Sequence, residues 1–148
     1  MNASAAVVEN LPGEFATSQH AGSCLCGAVR YSIAGSFDRF YLCHCSYCRK
    51  DTGSAHAANL FSATAKLTWL SGQGSITTYK VTGTRHARSF CATCGSAVPL
   101  AGTGGVVVPA GSLDTDLSQA PDGNIFTGSR ASWDHDLESA PHHESFPP

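Results

Sequence analysis

Cys43-His44-Cys45-Ser46-Tyr47-Cys48 carries three thiols in six residues, and the rest of the chain is read outward from it. On an extended segment Cys43 and Cys45 point to the same face, because strand side chains repeat every second residue. Cys48 follows at C-x-x-C spacing, so a tight turn returns its sulfur to the same point. Three converging sulfurs suit a metal ion. They suit a disulfide poorly, since one sulfur is left over and close neighbours on a strand rarely meet disulfide geometry. His44 falls between two of these thiols but on the opposite face, which favours a structural role over that of a fourth ligand.

Two further cysteine pairs flank this stretch. Gly22-Ser23-Cys24-Leu25-Cys26-Gly27 opens the first expected strand, and Cys91-Ala92-Thr93-Cys94-Gly95 forms a tight knuckle. Zinc takes four thiolate or imidazole ligands in structural sites, and three protein ligands plus an open position in catalytic ones. The seven cysteines therefore divide into a closed set, Cys24, Cys26, Cys91 and Cys94, and an open set, Cys43, Cys45 and Cys48. The closed set cross-links the chain over a long loop, where a constraint removes most entropy from the unfolded state. Two other arrangements stay open at this point: buried free thiols, and a single zinc that draws one of the middle cysteines into the closed set. His56, His86 and His135 stand as alternative fourth ligands or proton shuttles, and His142-His143 are assigned nothing.

Composition limits the function classes. The 148 residues amount to one ordinary domain. Apolar residues make up 42% and charged residues 14%, which describes a globular chain with a lightly charged surface. A formal net charge of -2 argues against general nucleic-acid binding. Between Asp51 and Asp114 there is no acidic residue, while Lys66, Lys80, Arg85 and Arg88 occur. This is ordinary strand composition or a mildly cationic region facing an anionic ligand. An odd number of cysteines in C-x-C and C-x-x-C spacings reads as metal binding in a reducing compartment. No cationic leader precedes Arg30, and no apolar run is long enough to span a bilayer. The expectation is a cytoplasmic protein with no membrane or nucleic-acid partner; a homo-oligomer is compatible with all of this.

The secondary-structure signal is many short strands between Gly-rich turns, with no long helical period, which predicts one all-β domain. Strands are expected near residues 28–33, 39–42, 55–62, 66–70, 76–81, 85–90 and 124–127. A hairpin is expected from 97–100 and 105–108 across Ala101-Gly102-Thr103-Gly104. Pro109 shortens its second strand or places it at an edge. Residues 112–116 are expected to form a turn or a single helical turn capped by Ser112 or Asp114. The expected organisation is an arm over 1–19, a zinc-binding domain over 20–135, and an extended tail over 136–148. The end of the chain is expected to wrap the body through Trp133 and Phe146.

A zinc ion on three thiolates has formal charge -1, and is a weaker acid toward bound water than one on three neutral histidines. Such a site suits exchange with another thiol, or brief contact with a small carbonyl, better than hydrolysis. Arg49 and Lys50 directly follow Cys48 and would offset the charge of an anionic thiol substrate.

Five segments occur in order: Gly22-Ser23-Cys24-Leu25-Cys26-Gly27; Cys43-His44-Cys45-Ser46-Tyr47-Cys48-Arg49 with Gly53; Phe90-Cys91-Ala92-Thr93-Cys94-Gly95; Gly111-Ser112-Leu113-Asp114; and Ser129-Arg130-Ala131-Ser132-Trp133. Together they resemble the glutathione-dependent formaldehyde-activating enzyme family, which also includes centromere protein V. The resemblance covers residues 20–135. It implies a compact all-β fold of the Mss4-like type, built from several small antiparallel sheets held by zinc. It implies two zinc ions, a structural one on Cys24, Cys26, Cys91 and Cys94 and a catalytic one on Cys43, Cys45 and Cys48. The implied activity is a carbon–sulfur lyase of the S-(hydroxymethyl)glutathione synthase type, joining glutathione to formaldehyde, with Arg49 on the substrate's carboxylates. Two alternatives remain beside it. One is a zinc-dependent lyase or hydrolase acting on a C–N or C–halogen bond, because a fold does not determine a function. The other is a non-catalytic binding module stabilised by zinc.

Overall fold

The structure, a computed structural model, describes residues 18–148. Residues 1–17 of the expected arm lie outside the described part. The described residues form eleven short strands and one short α-helix, in the order β1 (Gln19–Ser23), β2 (Arg30–Ala34), β3 (Arg39–Cys43), α1 (Ser46–Thr52), β4 (Ala57–Ser62), β5 (Lys66–Ser71), β6 (Ile76–Lys80), β7 (Ala87–Cys91), β8 (Ala97–Val98), β9 (Leu100–Gly102), β10 (Gly105–Pro109) and β11 (Gly123–Ile125). They make three small sheets, with strand orders β1-β2-β5, β11-β3-β4-β10-β9 and β6-β7-β8. All pairings are antiparallel except β11 with β3. The fold is thus the compact all-β arrangement of several small sheets that was expected. No helix among the described residues is long and apolar enough to cross a membrane.

The main core lies where the five-stranded sheet meets β2. Alternation along β2 sends Tyr31 and Ile33 inward, and β3, β4 and β10 contribute Phe40, Leu60, Val106 and Val108 to the same cluster. Tyr31 and Trp69 meet edge-on with ring centroids 5.9 Å apart. A second, smaller cluster contains Cys24, Val29, Cys91 and Val98, and a third contains Cys43, Cys48 and Ala57. The cysteines are therefore part of the interior, at the points where separate sheets meet.

Three local expectations change. The segment after Cys45 is a seven-residue helix and not only a tight turn. It is too short to display a helical period, so periodicity could not reveal it. Cys24 and Cys26 lie just past β1, in the turn toward β2, and not on the strand itself. The expected 97–100 strand is split at buried Pro99: β8 joins β7, whereas β9 joins β10. A proline has no N–H for a sheet ladder, and the chain changes sheets there. Pro109 does end β10 as expected, but β10 is an interior strand between β4 and β9. The end of the chain is also not anchored as expected. Phe146 is 96% exposed and Trp133 59%, while Ala131 and Asp134 beside Trp133 are buried.

Candidate metal centres

The four sulfurs of Cys24, Cys26, Cys91 and Cys94 all lie within 4.8 Å of one another. Cys24 Sγ is 3.5 Å from Cys26 Sγ, which is 3.9 Å from Cys91 Sγ. All seven cysteines are free thiols, and these separations are far beyond a disulfide bond of about 2 Å. A tetrahedral zinc with Zn–S near 2.3 Å separates its sulfurs by about 3.8 Å, so the spacing fits a dication with four thiolates. Two knuckles deliver them. Gly27 N–H donates to Cys24 O at 3.0 Å, and Gly95 N–H donates to Cys91 O at 2.7 Å. Gly95 has φ +75°, a left-handed conformation that a residue with Cβ adopts at a cost. The two knuckles are tied directly as well, since Leu25 N–H donates to Ser96 Oγ at 2.9 Å.

The protonation chemistry of this quartet also asks for a cation. Hydrogen bonds from Ser96, first its hydroxyl and then its backbone, hold the Cys94 thiol down to about 5. The Ala28 N–H favours the Cys26 thiolate, but the neighbouring sulfurs, Cys24 foremost, push it up to about 11. Four crowded thiols cannot all ionise by themselves; a dication among them removes that conflict.

The sulfurs of Cys43, Cys45 and Cys48 likewise converge within 4.8 Å, and among the described residues no further His, Cys, Asp or Glu joins them. The trio is built by a strand running into a helix. Cys43 ends β3, paired with Ala57 of β4 on one side and Ile125 of β11 on the other. Cys45 is the N-cap of α1, its sulfur accepting the Cys48 N–H at 3.4 Å. Cys48 follows in the first turn. Gly53, with φ +63°, closes the helix by donating its N–H to Arg49 O. Cys43 and Cys48 are buried against Ala57, while Cys45 is half-buried and is the trio's face toward solvent. Burial raises the Cys43 and Cys48 thiols, Cys48 further through its two neighbouring sulfurs. Burial acts the same way on Cys45, but hydrogen bonds from the Cys48 N–H and from the other two thiols outweigh it and lower this thiol.

Behind the trio, His44 is 1% exposed. Its Nδ1–H donates to Asp134 Oδ2 at 2.6 Å, and its Nε2 lies 2.8 Å from Asn124 Oδ1. Arg130 Nε is 3.5 Å from the same Asp134 oxygen. The structural role expected for His44 is what the geometry has: it pins the link between β3 and α1 to Asn124 of β11 and to Asp134. His56 packs edge-on against His44, with ring centroids 5.1 Å apart and a buried Nδ1 that has no partner. His135 is exposed, on the rim of a hollow that His44, His56, Asn124 and Asp134 also line. None of His56, His86 and His135 joins the trio as a fourth ligand.

On the other side of α1, a cleft of about 100 Å³ is lined by Cys48, Asp51, Thr52, Asn59, His86 and Arg88, among others. His86 Nε2–H donates to Asp51 Oδ2 at 2.6 Å, and the His86 ring stacks on Tyr47 at 5.3 Å. Arg88 donates to Asp51 O and, at 3.1 Å, to Gly95 O, so one guanidinium bridges α1 and the second knuckle. Arg49 is half-buried, and its Nε has no partner. It is absent from the walls of this cleft. Asp134, Asn124 and Asp51 were not foreseen as site residues, whereas Arg88 was expected only as one cation of a region that could face an anionic ligand. Asp134 directly follows Trp133, the end of the last of the five segments, which was the only local hint of it.

A family model described as "Glutathione-dependent formaldehyde-activating enzyme" matches residues 19–129. A solved structure titled "Crystal structure of Rhodobacter sphaeroides protein" is 24% identical to this chain. The match covers 68% of this chain and 97% of that one, with a TM-score of 0.49.

Proposed function

Because the chain belongs to the glutathione-dependent formaldehyde-activating enzyme family, we propose that it is a carbon–sulfur lyase of the S-(hydroxymethyl)glutathione synthase type. It joins glutathione to a small aldehyde such as formaldehyde. The observation that supports this reading is the trio: three thiols at one point, one of them open to solvent, with no fourth protein ligand among the described residues. In this reading Cys43, Cys45 and Cys48 hold a catalytic zinc, and Cys24, Cys26, Cys91 and Cys94 hold a structural one. Zinc at the trio supplies Lewis acidity and an exchangeable position for a thiol or carbonyl.

The chain's own residues do the rest. Ala57 and Ile125 form an apolar floor that keeps water from one side of the trio. His44, held by Asp134 and Asn124, keeps Cys43 and Cys45 in register. Arg49, one position past Cys48, attracts the carboxylates of the thiol substrate. The reaction itself balances without an oxidant: the sulfur forms a bond to the carbonyl carbon, the C=O π pair moves to oxygen, and the thiol proton ends there. Seven free thiols accord with a reducing compartment, the cytoplasm. The catalytic unit spans 20–135, with 136–148 as an appended tail.

The test is aldehyde consumption by the zinc-loaded protein with and without glutathione, beside Cys45→Ser. Acceleration over the spontaneous reaction that needs both glutathione and Cys45 is expected. Equal rates in all arms overturn the reading.

A further inference from the structure

Helix α1 contains Cys48 and is capped by Cys45, so its seating decides whether two of the trio's sulfurs meet Cys43 at the end of β3. Seven residues are too few to hold a helix by themselves, since isolated helices below about 12–15 residues are marginal in water. What seats α1 is therefore tertiary. Near its start, Cys48 packs against Ala57. Near its end, Asp51 is held twice from the β6–β7 hairpin. Its carboxylate accepts the His86 Nε2–H at 2.6 Å, and its carbonyl oxygen accepts from Arg88 Nη1.

The same guanidinium has a second hold. Arg88 Nη2 donates to Gly95 O at 3.1 Å. Gly95 closes the knuckle that presents Cys91 and Cys94 to the quartet, its N–H donating to Cys91 O at 2.7 Å. Arg88 itself stands on β7, the strand that ends at Cys91. Its Cζ lies 5.5 Å from the centroid of the Phe90 ring, which supports the guanidinium from β7 as well. No ion pair among the described residues contains Arg88. Its hydrogen bonds go to two carbonyl oxygens, one on each of the two segments that deliver thiols. A planar guanidinium fixes the separation of two such acceptors, which the single ammonium of a lysine does not.

We propose that Arg88 is a positioning residue that couples the two thiol clusters. An ion in the quartet fixes the knuckle, the knuckle fixes the guanidinium, and the guanidinium seats α1 so that Cys45 and Cys48 meet Cys43. The effect runs both ways, because coupling between two binding sites is reciprocal: an ion in the trio steadies the knuckle and with it the quartet's ion. The proposal rests on both clusters holding zinc, and not on the thiol–aldehyde reaction.

The experiment follows exchange of the quartet's zinc for an enriched zinc isotope, read by native mass spectrometry on the zinc-loaded full chain. Four proteins are compared: wild type, Cys45→Ser, Arg88→Gln and the double variant. Cys45→Ser retains only the quartet's ion, which identifies that ion's rate. In proteins that keep Arg88, emptying the trio by Cys45→Ser is expected to speed quartet exchange about fivefold, the low end of coupling between two sites. With Arg88→Gln the difference is expected to vanish. Arg88→Lys is expected to behave like Arg88→Gln, because the fork and not the charge makes both contacts, and it carries the comparison should Arg88→Gln not fold. An arginine that only stabilises the fold raises both rates and leaves their ratio unchanged. The proposal is overturned by that unchanged ratio, or by a Cys45→Ser protein whose quartet exchanges no faster than in the wild type. A wild type that binds fewer than two ions overturns the metal reading and the proposal with it, whereas two ions and an unchanged ratio overturn the proposal alone.

Discussion

His44 Nδ1 and Asp134 Oδ2 are 2.6 Å apart, although the two residues are separated by 90 positions, and both side chains are almost fully buried. The pair fastens the segment around Asp134 to the link between β3 and α1, which lies between Cys43 and Cys45. Asp134 is thus placed to control a metal at the trio without touching it. Asp134→Ala leaves a buried imidazole N–H unpaired, which costs about 1–3 kcal/mol. Asp134 bonds none of the three thiols, so a loss smaller than the about 10–100-fold typical of groups bonded directly to ligands is expected, for the trio's ion alone. Chelator competition, read as two release phases, checks this; equal weakening of both phases counts against it.

The two thiol clusters differ in what their loss does. The quartet ties the β1–β2 turn to the β7–β8 knuckle, across 65 residues between Cys26 and Cys91. Cys91→Ser is expected to abolish cooperative unfolding or lower the melting temperature strongly, because structural zinc affinity is folding free energy. Cys45→Ser is expected to keep the fold and lose one equivalent of zinc. Metal content and thermal melts of the two variants distinguish these outcomes.

His56 predicts a pH dependence. Burial, and then the neighbouring His44, lower its pKa below the ordinary 6.5, with Asp134 opposing. The folded state therefore binds this proton less readily than the unfolded state. Its contribution is fully present above about pH 6.5 and declines as pH falls below that value toward the lowered folded pKa. Urea unfolding between pH 7.5 and 5 should show a steeper loss in the wild type than in His56→Gln.

Gly22 lies over the ring of Tyr31. A Cβ at this position would come within 2.1 Å of the Tyr31 ring carbon that bears the hydroxyl. Tyr31 cannot yield easily, being fully buried and hydrogen-bonded through its hydroxyl to Ser112 Oγ at 2.5 Å. Gly22→Ala is expected to destabilise by about 1–3 kcal/mol through overpacking. Denaturant unfolding measures it, and a neutral result means that the β1–β2 pair shifts without penalty.

Most of the strands were legible because alternation and Gly-rich turns are local signals. The thiol grouping was legible too, since C-x-C and C-x-x-C spacings place sulfurs together through a single turn. Helix α1 was not, because seven residues carry less than two periods of an amphipathic pattern. The His44–Asp134, His86–Asp51 and Arg88–Gly95 contacts were not either: each joins groups whose spacing along the chain carries no geometric rule.

By itself the sequence determined the chemistry available, seven thiols in three short clusters, and the class of fold that short alternating strands can form. Only the tertiary structure decided which sheets those thiols join, which side of the trio faces solvent, and which distant side chains hold it. The physical reason is range. Backbone periodicity and turn geometry act over a few residues, whereas burial and hydrogen bonding are settled by whatever the packed chain brings together.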